Sequence, residues 1–104
     1  MSDGNEQLRK AIEEIQAGMC EEAVKTLHEF VKEHPDSLEG YYNLGYALQE
    51  AGKPEEAIKA YDEALSIDNM IFEIWFNKGN ALYELYDYEK ARDCYERAAK
   101  LNPD

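Results

Sequence analysis

Residues 38–71 read LEGYYNLGYALQEAGKPEEAIKAYDEALSIDNMI, and residues 72–104 read FEIWFNKGNALYELYDYEKARDCYERAAKLNPD. Laid on each other without gaps, at an offset of 34 positions, they share ten identities in 33 pairs. These include Asn43/Asn77, Gly45/Gly79, Ala57/Ala91, Tyr61/Tyr95 and Ala64/Ala98. Residues 4–37 align on 38–71 at the same offset with seven identities, among them Gly18/Gly52, Glu21/Glu55 and Ala23/Ala57. Self-similarity at a fixed period marks stacked supersecondary units that bury a shared core. The chain therefore divides into three copies, 4–37, 38–71 and 72–104, forming one domain over 4–104. The first copy is the most divergent.

Each copy reads as two helices. Tyr41, Leu44, Gly45 and Leu48 fall at i, i+3, i+4 and i+7, one face of a helix. Gly52 follows, where a helix ends in left-handed geometry, and Pro54 opens the next one. Ala57, Ile58, Tyr61, Ala64 and Leu65 make the second stripe. The spacing predicts helices over 5–17, 20–33, 38–51, 54–67, 72–85 and 88–101. Small residues (Ala11, Gly45, Gly79, Ala57, Ala91) facing large ones (Tyr61, Tyr95, Tyr41, Trp75) predict interlocking helix contacts.

A 34-residue two-helix unit carrying Tyr41-x-x-Leu44-Gly45-x-x-Leu48, Ala57, Tyr61 and Ala64 resembles the tetratricopeptide repeat (TPR) family. The pattern returns through Trp75, Gly79, Leu82, Ala91, Tyr95, Ala98 and Pro103, and in part through Ala11, Gly18, Ala23 and Pro35. The resemblance implies an all-α, right-handed superhelical solenoid of three antiparallel helix pairs. It also implies a concave groove lined by the first helix of each pair, and a role in protein binding. Three positions depart from the pattern. Lys78 stands where Leu44 stands in the middle copy, Tyr86 replaces the glycine of Gly18 and Gly52, and Gln7 stands where an aromatic is usual.

Charge narrows the partners. With 23 acidic and 11 basic side chains the net charge is −12. Such a chain is repelled by nucleic acid and by anionic membranes. No apolar run approaches a membrane span, and the first residues do not form a signal peptide. Cys20 and Cys94 match no metal spacing. A cytoplasmic domain without metal or cofactor is expected. There is no phosphate loop, GxSxG or HExxH. Adjacent carboxylates such as Glu55-Glu56 diverge by about 100° on a helix, so no catalytic constellation forms and no enzyme activity is expected.

The expected groove stripe is Glu39, Asn43, Tyr46 and Glu50 in the middle copy, and Glu73, Asn77, Asn80 and Glu84 in the last. Tyr42, Gln49, Phe76 and Tyr83 flank it, and the first copy holds Asn5, Arg9, Ile12 and Gln16 with Leu8 and Ile15. An asparagine pair offers a donor and an acceptor to a peptide backbone. Tyr42, Tyr46, Phe76 and Tyr83 are either anchors for a partner side chain or packing between repeats. Glu39, Glu50, Glu73 and Glu84 favour a neutral-to-basic peptide. TPR proteins that hold chaperone C-terminal carboxylates use lysine and arginine here; this chain has Leu8, Ile12, Asn43, Glu73 and Asn77.

The far end gives a second reading. No capping helix follows the last repeat, so Tyr88, Tyr95 and Leu101 are expected on an uncovered face. That face belongs either to a longer array or to a weak homo-oligomer. At Tyr86, glycine-like geometry would strain a tyrosine unless its ring covers apolar surface near Leu85 and Tyr88. The expectation is such cover, and a small stability loss in Tyr86→Gly.

Overall fold

The computed structural model describes residues 4–103. Among them are six helices and no strand: α1 (Gly4–Gln16), α2 (Cys20–Glu33), α3 (Leu38–Glu50), α4 (Pro54–Ile67), α5 (Phe72–Glu84) and α6 (Tyr88–Leu101). Every boundary falls within one residue of the expected range. Asp104, the last residue of the expected domain, lies outside the described residues.

Local chemistry explains the ends. The Ser37 hydroxyl caps α3 by accepting from the Gly40 amide at 3.0 Å, and the Asp87 carboxylate caps α6 by accepting from Lys90 N at 3.3 Å. Pro54 occupies the first turn of α4. The three hairpin turns share one geometry. Gly18 and Gly52 have φ of 80°, and Tyr86 has φ of 65°. The next amide in each turn closes a six-residue loop: Met19 N to Glu14 O at 2.8 Å, Lys53 N to Leu48 O at 2.8 Å, Asp87 N to Leu82 O at 3.0 Å. Tyr86 has thus kept the glycine conformation. Tyr86 is 78% exposed, and its ring meets that of Tyr88 edge-on, with centroids 6.3 Å apart. The expected cover over apolar surface is that edge contact.

Within a hairpin the helices approach where a side chain is missing. A Cβ on Gly45 would lie 2.6 Å from the Tyr61 ring, and one on Gly79 would lie 2.7 Å from Tyr95. Between hairpins, volume is exchanged. Phe30 stands where later copies have Ala64 and Ala98. It packs on Gly40, whose Cβ would sit 2.8 Å from the ring, while Ala64 is matched one repeat later by Ile74. Large-on-small at the first junction becomes small-on-large at the second, which keeps the packing dense.

One core runs from Leu8 to Ile74. A second, smaller cluster of Leu82, Ala91 and Cys94 is packed by Ile58, Trp75 and Tyr95. Lys78 separates them: its counterpart Leu44 is buried in the first cluster. Lys78 is drawn instead to Asp62 on α4, at 2.6 Å.

The three pairs stack in chain order. α1 touches α3 and α3 touches α5, whereas α2, α4 and α6 make no contacts with one another among the described residues. The array therefore curves, with α1, α3 and α5 on its inner side.

Candidate functional site

The inner face is built from α3 and α5 residues, several of which touch tyrosines of the paired helix. The residues whose role the sequence left open divide into packing and display. Tyr42 is half-buried, its ring 6.1 Å from that of Tyr61, and its hydroxyl accepts from Asn77 Nδ2 at 2.8 Å. That bond ties α3 to α5. Burial pushes the Tyr42 phenol pKa up, and Glu73 adds to the shift. Asn43 spends an amide hydrogen on its own helix, donating to Glu39 O at 2.9 Å. The two asparagines therefore act differently in the free protein: one stitches repeats together and the other stays within its turn. Each keeps its Oδ1 without a partner among the described residues.

Asn80 accepts from the Tyr95 hydroxyl at 2.7 Å and is half-buried. Tyr61, wholly buried, reaches the same side of the molecule and donates to Gln49 Oε1 at 2.8 Å. The sequence placed Gln49 beside the stripe but gave it no role. The signal was present: Tyr61 and Tyr95 align with Leu27, which has no hydroxyl, and α1 there offers Ile12 and Ile15.

Phe76, Tyr83 and Tyr46 are the displayed aromatics, 50%, 57% and 38% exposed. Phe76 lies 5.7 Å from Tyr95, and Tyr83 lies 5.0 Å from Tyr88. Tyr83, Tyr88, Tyr95, Ala91 and Arg92 line a shallow hollow of about 260 Å³. Glu39, Glu50, Glu73 and Glu84 are all exposed. Glu50 and Glu84, on neighbouring first helices, both act on the Tyr61 phenol; burial is the main cause of its raised pKa.

The expected self-association residues are spread along the length of α6. Tyr95 is held inside its own hairpin by Gly79, Asn80 and Phe76. Tyr88 joins Tyr83 in the aromatic hollow. Leu101 is the last residue of α6 and Tyr88 the first, so they stand about 20 Å apart at the helical rise of 1.5 Å per residue. Burial also pushes the Tyr95 phenol pKa up.

No group of histidine, cysteine and carboxylate side chains able to hold a metal is found among the described residues. No helix there is long and apolar enough to cross a membrane.

Comparison with known proteins agrees with this architecture. The tetratricopeptide repeat family matches residues 8–69 and again residues 72–104. No curated protein sequence matches the chain. Among solved structures, MamA superposes with a TM-score of 0.94 at 23% identity over 97% of this chain and 59% of that one. The Yersinia enterocolitica type III secretion translocator chaperone SycD, in an alternative dimer, gives 0.94 at 21% identity, over 100% of this chain and 80% of that one. The second TPR of Spaghetti (RPAP3), bound to the HSP90 peptide SRMEEVD, gives 0.91 at 18% identity, over 95% and 92%. The chain spans less than two thirds of two of the MamA chains it matches, 58% and 59%, and 74% of a MamA mutant. At these identities the likeness is one of fold: the superhelical solenoid of helix pairs expected from the sequence.

Proposed function

We propose, on the premise that the chain belongs to the tetratricopeptide repeat family, that it is a non-enzymatic scaffold or adaptor whose concave face binds a segment of a partner protein. The segment is neutral to basic. One observation carries this reading: Phe76 and Tyr83 are half-exposed on α5, with Glu73 and Glu84 exposed on the same helix. Exposed aromatics supply apolar and cation-binding surface at low entropic cost. The flanking carboxylates favour lysine or arginine beside them. Asn43 and Asn77 retain unpartnered carbonyl oxygens for a peptide backbone, and Glu39 and Glu73 extend the acidic rim. Tyr42, Tyr46 and Asn80 complete the surface. The RPAP3 domain holds the acidic peptide SRMEEVD; the glutamates here oppose that ligand class. The net charge of −12 disfavours nucleic acid and anionic membranes as partners, and a cytoplasmic location is part of this proposal.

Selection from a random nonapeptide display library tests the reading. Wild type is expected to enrich lysine and arginine over aspartate and glutamate. Phe76→Ala with Glu84→Lys is expected to abolish that enrichment. Enrichment of acidic peptides that is lost in Phe76→Ala, or an unchanged profile in the double variant, overturns it.

A second reading is self-assembly through the last repeat, with Tyr88, Tyr95 and Leu101 near the contact. Its support is the contrast between Tyr61 on α4, wholly buried, and its counterpart Tyr95 on α6, half-buried. Light scattering across micromolar to millimolar protein decides it: a constant monomer mass removes this reading.

A further inference from the structure

On the opposite side of α5 from the aromatic row lies a cleft of about 510 Å³ between α4, α5 and α6. Trp75, Lys78 and Leu82 line it. Their stripe points about 130° away from that of Phe76, Asn80 and Tyr83, at 3.6 residues per turn. Its floor is apolar: Ile58, Trp75, Leu82 and Cys94. Four of the eleven basic residues, Lys78, Lys90, Arg97 and Lys100, stand around it.

The repeat supplies an internal control. One copy earlier the equivalent cleft, of about 540 Å³, has Tyr41, Leu44, Leu48 and Ala60 at its floor. Its rim carries Glu56 and Glu63, in the places of Lys90 and Arg97. So the same backbone cleft has been recharged: Leu44 becomes Lys78, Glu56 becomes Lys90, Glu63 becomes Arg97 and Ser66 becomes Lys100. Lys59, which becomes Asp93, and His28, which becomes Asp62, run the other way.

The basic groups are not spent equally. Lys78 is neutralised by Asp62, and Lys90 is loosely paired with Asp87 at 4.0 Å. Arg97 and Lys100 have no carboxylate within 4.0 Å among the described residues. Arg97 lies over the Trp75 ring, 5.3 Å from its centroid, with Lys78 at 5.7 Å. Asp93 and Glu96 are the opposing acids at the rim. The lining carries four basic and three acidic side chains, Asp62, Asp93 and Glu96, a local excess of one positive charge, and charges beyond about 8 Å are largely screened at physiological salt. A lysine at a core position also breaks the local packing rule, and such breaks concentrate at functional sites.

We propose that this cleft is a second docking site, taking a partner segment that sets carboxylates beside an apolar side chain. The apolar side chain enters over Ile58, Leu82 and Cys94. The carboxylates pair with Arg97 and Lys100. The site is independent of the concave face and takes the opposite charge, so the domain joins a basic segment on its inner side to an acidic one on its outer side.

Trp75 is the only tryptophan and reports the cleft directly. The probe is the acetylated, amidated hexapeptide EELEEL, compared with KKLKKL and with inorganic phosphate. Titration with EELEEL is expected to change Trp75 fluorescence saturably and more weakly in high salt. In Arg97→Glu with Lys100→Glu, both exposed positions, the Kd is expected to rise by about tenfold or more, because two attractions become repulsions. The proposal is overturned by any of four results: no saturable change, the same Kd in the variant, an equal response to KKLKKL or phosphate, or amide shifts that centre on Phe76 and Tyr83 instead of Trp75.

Discussion

Tyr61 on α4 donates its hydroxyl to Gln49 Oε1 on α3 at 2.8 Å, and Tyr95 on α6 makes the matching bond to Asn80 Oδ1 on α5 at 2.7 Å. The donors are equivalent in the repeat but the acceptors are not. Gln49 aligns with Tyr83, and Asn80 aligns with Tyr46. At these two positions each of the two later copies thus has one amide and one tyrosine, one turn apart and in opposite order. The amide satisfies the hydroxyl that emerges from between the helices, and the remaining tyrosine is displayed. In the first copy Leu27 needs no acceptor, and Ile12 and Ile15 take both places. The chemistry of the inner face therefore follows from the residue packed behind it.

Removing the hydroxyl in Tyr61→Phe is expected to cost about 1 kcal/mol at neutral pH, a fall of roughly 4–8 °C in Tm for a domain of this size. It also changes the alkaline limb. Burial holds the Tyr61, Tyr42 and Tyr95 phenols protonated above their ordinary range. In the unfolded chain they ionise near pH 10. The unfolded state then binds fewer protons than the folded one, so stability falls as pH rises. The contribution is intact below about pH 10 and is lost progressively above it. Urea midpoints at about pH 9 and pH 11 should fall more steeply in wild type than in Tyr61→Phe. Equal slopes would remove Tyr61 from this account.

The exchange of volume between Phe30 and Gly40 predicts strong coupling. Phe30→Ala alone is expected to cost about 3–5 kcal/mol through the cavity it leaves. Gly40→Ile alone drives a branched side chain into the Phe30 ring and is expected to cost about 3 kcal/mol. Together they copy the Ala64 and Ile74 pairing, so the double variant should be more stable than either single one. Chemical denaturation of the four proteins measures the cycle. Additive losses would show that the two junctions are not interchangeable.

The fold was legible because its determinants are local. Period, stripe spacing and the glycines of Gly18 and Gly52 put every helix end within a residue. The inner face was legible only as a set of positions. Residue type at Asn43 and Asn77 gave two identical amides, yet one bonds its own helix and the other bonds Tyr42 across a repeat junction. That difference depends on a neighbouring side chain 35 residues away. Tyr88 and Tyr95 were placed on the open end by their helix, whereas ring contacts turn them towards Tyr83 and Phe76. The cleft over Trp75 was visible only as an anomaly at Lys78, since its charge comes from three helices.

Lys78→Leu should rejoin the two parts of the core. The lysine side chain is 20% exposed and its partner Asp62 is 52% exposed, so the ion pair lost is worth at most about 1 kcal/mol. Burying a leucine there gains about 2 kcal/mol. A net gain of about 1 kcal/mol is expected, read as a higher urea midpoint with an unchanged slope. Destabilisation would mean that the lysine stem already fills the gap between Ile74 and Leu82 and that the clusters are not truly divided.

Tyr86 separates strain from contact. Its φ of 65° puts a Cβ-bearing residue where glycine stands in the two other hairpins, a conformation that costs a non-glycine residue about 1–2 kcal/mol. Against this stand the edge contact with Tyr88 and the extra chain entropy that glycine brings to the unfolded state, about 0.5–1 kcal/mol. With the ring 78% exposed the contact is the smaller term. Tyr86→Gly is therefore expected to stabilise the domain by about 0.5 kcal/mol, relieving strain that outweighs the entropy. Tyr86→Ala keeps the strained backbone and loses the ring, so it should be less stable than wild type and about 1 kcal/mol below the glycine variant. Thermal melts of the three proteins resolve the order. If alanine matched or exceeded glycine, the left-handed turn would carry no strain. If both fell far below wild type, the Tyr86 edge on Tyr88 would be a packing contact of greater weight than its exposure implies.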